Sequence, residues 1–104
     1  SSVTVRGNTL RARGGKQAVS VEAGAHVQFT DNRCELTGGP GVAVTITAPA
    51  AVFSANVVMS NKDAIRIAPE SVRGTVLGNV TRGPIYLGPS NLANTPWESL
   101  NVRI

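Results

Sequence analysis

Asparagine returns in this chain at positions 8, 32, 56 and 79, at intervals of 24, 24 and 23 residues. Each one closes the same short pattern, and Val3 to Asn8, Val27 to Asn32, Ala51 to Asn56 and Gly74 to Asn79 align without gaps. Apolar residues within these segments alternate with a period of two, which is strand spacing and not helix spacing. A period in the twenties built on strands describes a solenoid, in which a coil buries its apolar side only against its neighbours. That constrains architecture closely and chemistry hardly at all.

Counting from each asparagine separates inside from outside. Three residues before it stand Val5, Phe29, Phe53 and Val76, and five before it Val3, Val27, Ala51 and Gly74. Two residues after it stand Leu10, Cys34, Val58 and Thr81. These are apolar or small in every copy, as inward columns require. The alternate positions are mixed: Thr4, Gln28, Val52 and Thr75, then Arg6, Thr30, Ser54 and Leu77. A further strand follows in each copy. Its inward pairs are Val19 and Val21, Val44 and Ile46, Ile65 and Ile67, and Ile85 and Leu87, with Ser20, Thr45, Arg66 and Tyr86 facing out between them. Gly24, Pro49, Pro69 and Pro89 then end each coil. Proline stops a strand because it has no N–H for the ladder. One coil therefore reads as strand, tight Asn turn, strand, loop, strand and turn.

The asparagine has a physical task at its bend. It tolerates the left-handed backbone region better than any residue but glycine, so it suits a sharp corner between strands. Pointing inward, the amides of successive coils lie about 4.8 Å apart, the spacing of neighbouring strands, and each can donate to the next. Gly7, Asp31, Ala55 and Gly78, small or turn-forming, precede the four rungs.

A coil of about 24 residues, with three short strands and an Asn ladder at a two-residue bend, resembles the right-handed parallel β-helix of the pectate-lyase-like superfamily. The resemblance covers residues 3 to 87 and implies an all-β, single-stranded right-handed parallel β-helix of about four coils. Residues 1–90 are assigned to the coils. Residues 91–104 are read as a degenerate fifth coil and C-terminal cap, because Asn101 lies 22 residues beyond Asn79 and Leu100 to Arg103 echoes Gly78 to Thr81. Leu92, Trp97 and Leu100 are expected to cover the core there.

Enzymes of that superfamily cut or modify polysaccharides with carboxylates, basic residues or bound calcium on adjacent coils and long loops. This chain departs from that pattern. Its loops shorten along the sequence, from residues 13–17 and 37–41 to residues 61–63 and then Gly83 and Pro84, and none carries two acidic residues. Neither a paired-carboxylate glycosidase site nor a calcium cage is visible. The best polar cluster is Asp31, Arg33 and Glu35, joined by Arg11 and Arg82 from neighbouring coils, and it reads as surface ion pairing. His26 is the only histidine and has no acidic or cysteine neighbour in sequence, so it reads as a turn residue. The single cysteine, Cys34, allows no intrachain disulfide and occupies an inward column as a small hydrophobe. The glycines at 38, 39 and 41 lack the following helix and Lys-Ser/Thr ending of a phosphate loop.

Only four residues are aromatic, Phe29, Phe53, Tyr86 and Trp97, so the core must be built from Val, Ile, Leu and Ala. The net charge is +4, and Arg6, Arg11, Arg13 and Lys16 all precede the first acid, Glu22. Such cations suit a solvated face or the guarding of an open sheet edge. Binding to nucleic acid is not expected, though an anion-binding role would show as a strong salt dependence. No apolar run reaches membrane-spanning length. The chain has no initiator Met and starts in strand pattern at Ser1, which suggests a mature or excised piece of a longer protein.

The expected function is a non-catalytic structural or interaction module of a microbial surface or virion-type protein, without a cofactor, self-associating or joined to neighbouring domains. Val52, Val57, Met59, Leu77 and Val80 are the expected interface, since they are apolar at outward positions. An extracellular or virion setting is favoured. The competing expectation is a carbohydrate-binding or degenerate polysaccharide-active fragment, for which only Tyr86 and Trp97 could supply aromatic contacts.

Overall fold

The computed structural model of the chain describes residues 1–14, 17–38, 41–60, 62–68, 73–91 and 95–104. Coil one contains β1 (Ser2–Arg6), β2 (Thr9–Arg13) and β3 (Val19–Glu22). Coil two contains β4 (His26–Thr30), β5 (Arg33–Thr37) and β6 (Val44–Thr47). Coil three contains β7 (Ala50–Ser54), β8 (Val57–Ser60) and β9 (Ile65–Ala68), and coil four β10 (Arg73–Leu77), β11 (Val80–Arg82) and β12 (Ile85–Leu87). The tail adds β13 (Ser90–Asn91), a 3-10 helix (Pro96–Leu100) and β14 (Val102–Arg103).

Equivalent strands of successive coils pair in three sheets, ordered β1-β4-β7-β10, β2-β5-β8-β11-β14 and β3-β6-β9-β12-β13. Every pairing is parallel except that of β12 with β13. The chain is thus an all-β solenoid of four coils, in register with the asparagine repeat. Val5, Phe29, Phe53 and Val76 are successive partners in the first sheet. Leu10, Cys34, Val58 and Thr81 are successive partners in the second.

The inward columns form one core. Val27, Phe29, Cys34, Val44, Ile46, Phe53, Val58, Ile65 and Val76 are fully enclosed. Phe29 and Phe53 stack with ring centroids 5.2 Å apart and planes 9° from parallel, a contact imposed by their shared column. Burial of side chains this size stabilises by roughly 1.5–3 kcal/mol each before ordering entropy is subtracted. Inward polar groups are satisfied locally: Thr81 Oγ1 donates to the Gly83 carbonyl and Ser60 Oγ accepts from the Lys62 N–H. Among the described residues no buried side-chain polar atom lacks a partner.

The two ends of the stack differ. At the C-terminal end β14 extends the second sheet beside β11, β13 folds back on β12 in the third, and the 3-10 helix lies against β10 of the first. Trp97 is half-buried and packs against the core. Leu100 departs from the expected capping role and is 51% exposed. It stands where earlier coils place the corner residues Gly7, Asp31, Ala55 and Gly78, all of which face solvent. Leu92 lies outside the described residues. At the N-terminal end β1, β2 and β3 each pair on one side only, with β4, β5 and β6.

Candidate functional site

The asparagine ladder is continuous and runs one way. Asn8 donates from both its backbone N–H and Nδ2 to Asn32 Oδ1, at 2.9 and 3.1 Å. Asn32 does the same to Asn56 Oδ1, and Asn56 to Asn79 Oδ1. Asn79 in turn donates from both groups to Asn101 Oδ1, at 3.1 and 2.8 Å, so the ladder has five rungs. The second Nδ2 proton reaches back to an inward-column carbonyl: Val5 from Asn32, Phe29 from Asn56, Phe53 from Asn79 and Val76 from Asn101. The bend before each of the first four rungs is left-handed, with φ of 68° at Gly7, 57° at Asp31, 55° at Ala55 and 68° at Gly78.

Asn101 ends the series. Its backbone N–H donates to the Glu98 carbonyl and its Nδ2 to the Trp97 carbonyl, so the 3-10 helix accepts what a next rung would have accepted. Asn8 is the converse. It is exposed, and no donor among the described residues reaches its Oδ1. Asn8 thus stands at the end of the stack formed by β1, β2 and β3. Val3, Val5, Leu10, Ala12, Ala18 and Val19 line this end half-covered, although their counterparts one coil on, such as Val27, Phe29 and Cys34, are 0% exposed. Arg6, Arg11 and Arg13 stand exposed around its rim, with Glu22 as the rim carboxylate of β3. Lys16 falls outside the described residues.

The polar cluster expected from sequence assembles only in part. Arg11 Nε meets Glu35 Oε2 at 3.1 Å across the β2–β5 pair. Asp31 is an exposed corner residue, and Met59 separates Glu35 from Arg82 in the column. A second ion pair was not anticipated. Asp63, buried, accepts from Arg66 Nε and Nη2 at 3.1 and 2.8 Å, and the guanidinium lies 4.9 Å over the Tyr86 ring. The Arg66–Tyr86 contact follows from their shared outward column; the Asp63 contact crosses a loop whose bend is not readable from spacing.

The expected apolar interface divides between two faces. Val52 lies in the first sheet and Leu77 at the end of β10, 42% exposed. Val57, Met59 and Val80 lie in the second sheet, half-buried, where Val57, Val80 and Val102 are successive partners. Val102, 57% exposed, belongs to this patch and was missed because it lies in the tail. His26 opens β4 and lines a shallow depression with Ala50 and Arg73. Burial pushes the Cys34 thiol up to about 11, which makes it inert as a nucleophile at neutral pH. Among the described residues no group of three or more His, Cys, Asp or Glu could hold a metal, and no helix is long and apolar enough to cross a membrane. No protein-family model, curated protein or solved structure matches the chain.

Proposed function

We propose that this chain is a non-catalytic structural module that self-associates through the open end of its solenoid, within a larger microbial surface or virion-type assembly. The observation that carries the reading is that β1, β2 and β3 each pair on one side only among the described residues, with Val3, Val5 and Leu10 half-covered beside them. Unpaired edges of this kind recruit further strands. The finer family assignment, a right-handed β-helix of the pectate-lyase-like superfamily in a non-enzymatic form, belongs to the same proposal and is supported by the five-rung ladder and coil length.

Light scattering over a hundredfold range of concentration tests it. The mass should rise above the 10.8 kDa of one chain. A mass that stays monomeric throughout would overturn self-association. No turnover is expected on pectin, alginate or chitin-type glycans. Turnover that disappears on changing Asp31 or Glu35 would replace this reading with the polysaccharide-active one.

A further inference from the structure

We propose that the depression between His26 and Arg73, on the outer face of the first sheet, binds a small carboxylate with a compact apolar body. The site lies on the side of the solenoid, across coils two, three and four, and is independent of the self-association just described. It arises from one column of unequal side chains. His26, Ala50 and Arg73 are successive partners across β4, β7 and β10. Ala50 stops at its Cβ between two long neighbours, so the floor drops there, with Val52 and Thr75 beside it. The two walls stand two strand spacings apart, about 9.6 Å. The volume is about 280 Å3, just under the range that takes drug-sized ligands, so the occupant is small.

Electrostatics select an anion. The four main strands of the first sheet, β1, β4, β7 and β10, contain no Asp or Glu. Their ionisable side chains are Arg6, His26 and Arg73, and the last two line the same depression. Arg73 is also uncommitted. Arg11 and Arg66 are bound to Glu35 and Asp63, whereas the Arg73 guanidinium has no partner among the described residues. The His26 imidazole and the Thr75 hydroxyl are equally unbonded among the described residues. Glu70, the acid nearest Arg73 in sequence, lies outside them.

Polar and apolar parts of the site lie at different levels along the strands. His26, Ala50 and Arg73 form one row, and Gln28, Val52 and Thr75 form the next outward row. A carboxylate over Ala50 can accept a bidentate pair from the Arg73 guanidinium and a further N–H from His26, which has one to give in either protonation state. The body of the ligand then lies along β7 on half-buried Val52, flanked by the uncharged Gln28 and Thr75. An inorganic phosphate or a sugar acid, polar on every side, gains less from that floor.

Benzoate, titrated into the 15N-labelled chain and followed through its amide chemical shifts, is the test. The shifts should saturate and be largest at His26, Ala50, Val52, Arg73 and Thr75, while benzamide, which is uncharged and of the same shape, leaves them unmoved. Arg73→Gln should weaken binding about tenfold through the lost charge-assisted pair. Ala50→Leu should abolish it by filling the floor. Arg6→Gln removes the same charge from the same sheet but outside the depression, and should change the affinity less than about twofold at about 0.15 M salt. Four results overturn the proposal: no saturable shift, benzamide bound as tightly as benzoate, galacturonate or inorganic phosphate bound more tightly, or equal losses from Arg6→Gln and Arg73→Gln. Light scattering reads self-association separately, so either proposal can fail without the other.

Discussion

Each interior rung of the ladder ties together more groups than its spacing suggests. The repeat makes it legible that side-chain amides of successive coils stack. It does not reveal that the backbone N–H shares the same acceptor, because that depends on the left-handed corner before each Asn. Asn56 Oδ1 accepts two bonds from Asn32, and Asn56 Nδ2 donates to Asn79 Oδ1 and the Phe29 carbonyl. Asn56→Ala should therefore destabilise by about 1–3 kcal/mol in denaturant melts, through stranded buried partners. Asn8→Ala should cost less, because Asn8 is exposed and no donor among the described residues reaches its Oδ1. Equal losses at the two positions would mean that burial does not set the ladder's strength. The corner residues provide a second check. Ala55 holds φ at 55° despite its Cβ, so Ala55→Gly should stabilise by about 0.5–1 kcal/mol, relief of left-handed strain outweighing the added freedom of the unfolded chain. Gly83 is the opposite case, with φ at 94° and the Lys62 carbonyl oxygen where a Cβ would sit. Gly83→Ala should lower the melting temperature clearly more than Gly7→Ala, whose surroundings are open.

At the scale of strands, turns and cap, what was legible is what repeats. Inward columns, coil boundaries and the Asn corners all rest on period-two alternation at a fixed interval. The tail is harder because it repeats once and imperfectly. Its alignment of Leu100 with Gly78 placed Leu100 at a corner, yet its apolar side chain suggested a core role; the corner position prevailed. The Asp63 pairing is not legible for a related reason, since a loop carboxylate has no column to predict its partner. The cap has a measurable consequence. Asn101→Ala removes the acceptor of two Asn79 donors and the bonds that hold the 3-10 helix, so it should destabilise by about 1–3 kcal/mol and redshift Trp97 emission. Unchanged emission would show that the helix docks without the fifth rung. Cys34 predicts a pH dependence. Its pKa is raised by burial from 9.0 to about 11, so the folded state favours the protonated thiol. The stability this contributes is complete below about pH 9, where the unfolded chain's thiol is also protonated, and is lost as pH climbs towards 11. Cys34→Val, which matches Val58 in the same column, should remove that part of the alkaline decline in melting temperature.

At the scale of the whole molecule, charge and architecture act on the same end. Arg6, Arg11 and Arg13 ring the uncovered first coil of a chain with net charge +4, so two such ends repel at long range while their strand edges attract at contact. Association should therefore strengthen as salt is raised from about 0.01 to 0.15 M, as the Debye length falls from about 30 to 8 Å. Sedimentation at the two ionic strengths measures this, and weaker association at higher salt would mean that ion pairs across the contact dominate over net repulsion. Function was less legible than fold because nothing in a column of valines specifies a partner, and the ends of the stack are defined only once it is built. The ladder's single direction also bears on synthesis. As the chain leaves the ribosome, the paired donors of each Asn wait for an acceptor still one coil upstream of the exit, from Asn8 awaiting Asn32 to Asn79 awaiting Asn101. A nascent chain halted between two rungs always exposes two unanswered N–H donors at its growing edge. For the Asn79 donors that answer comes with the five residues of the 3-10 helix and its cap, when Asn101 Oδ1 accepts both.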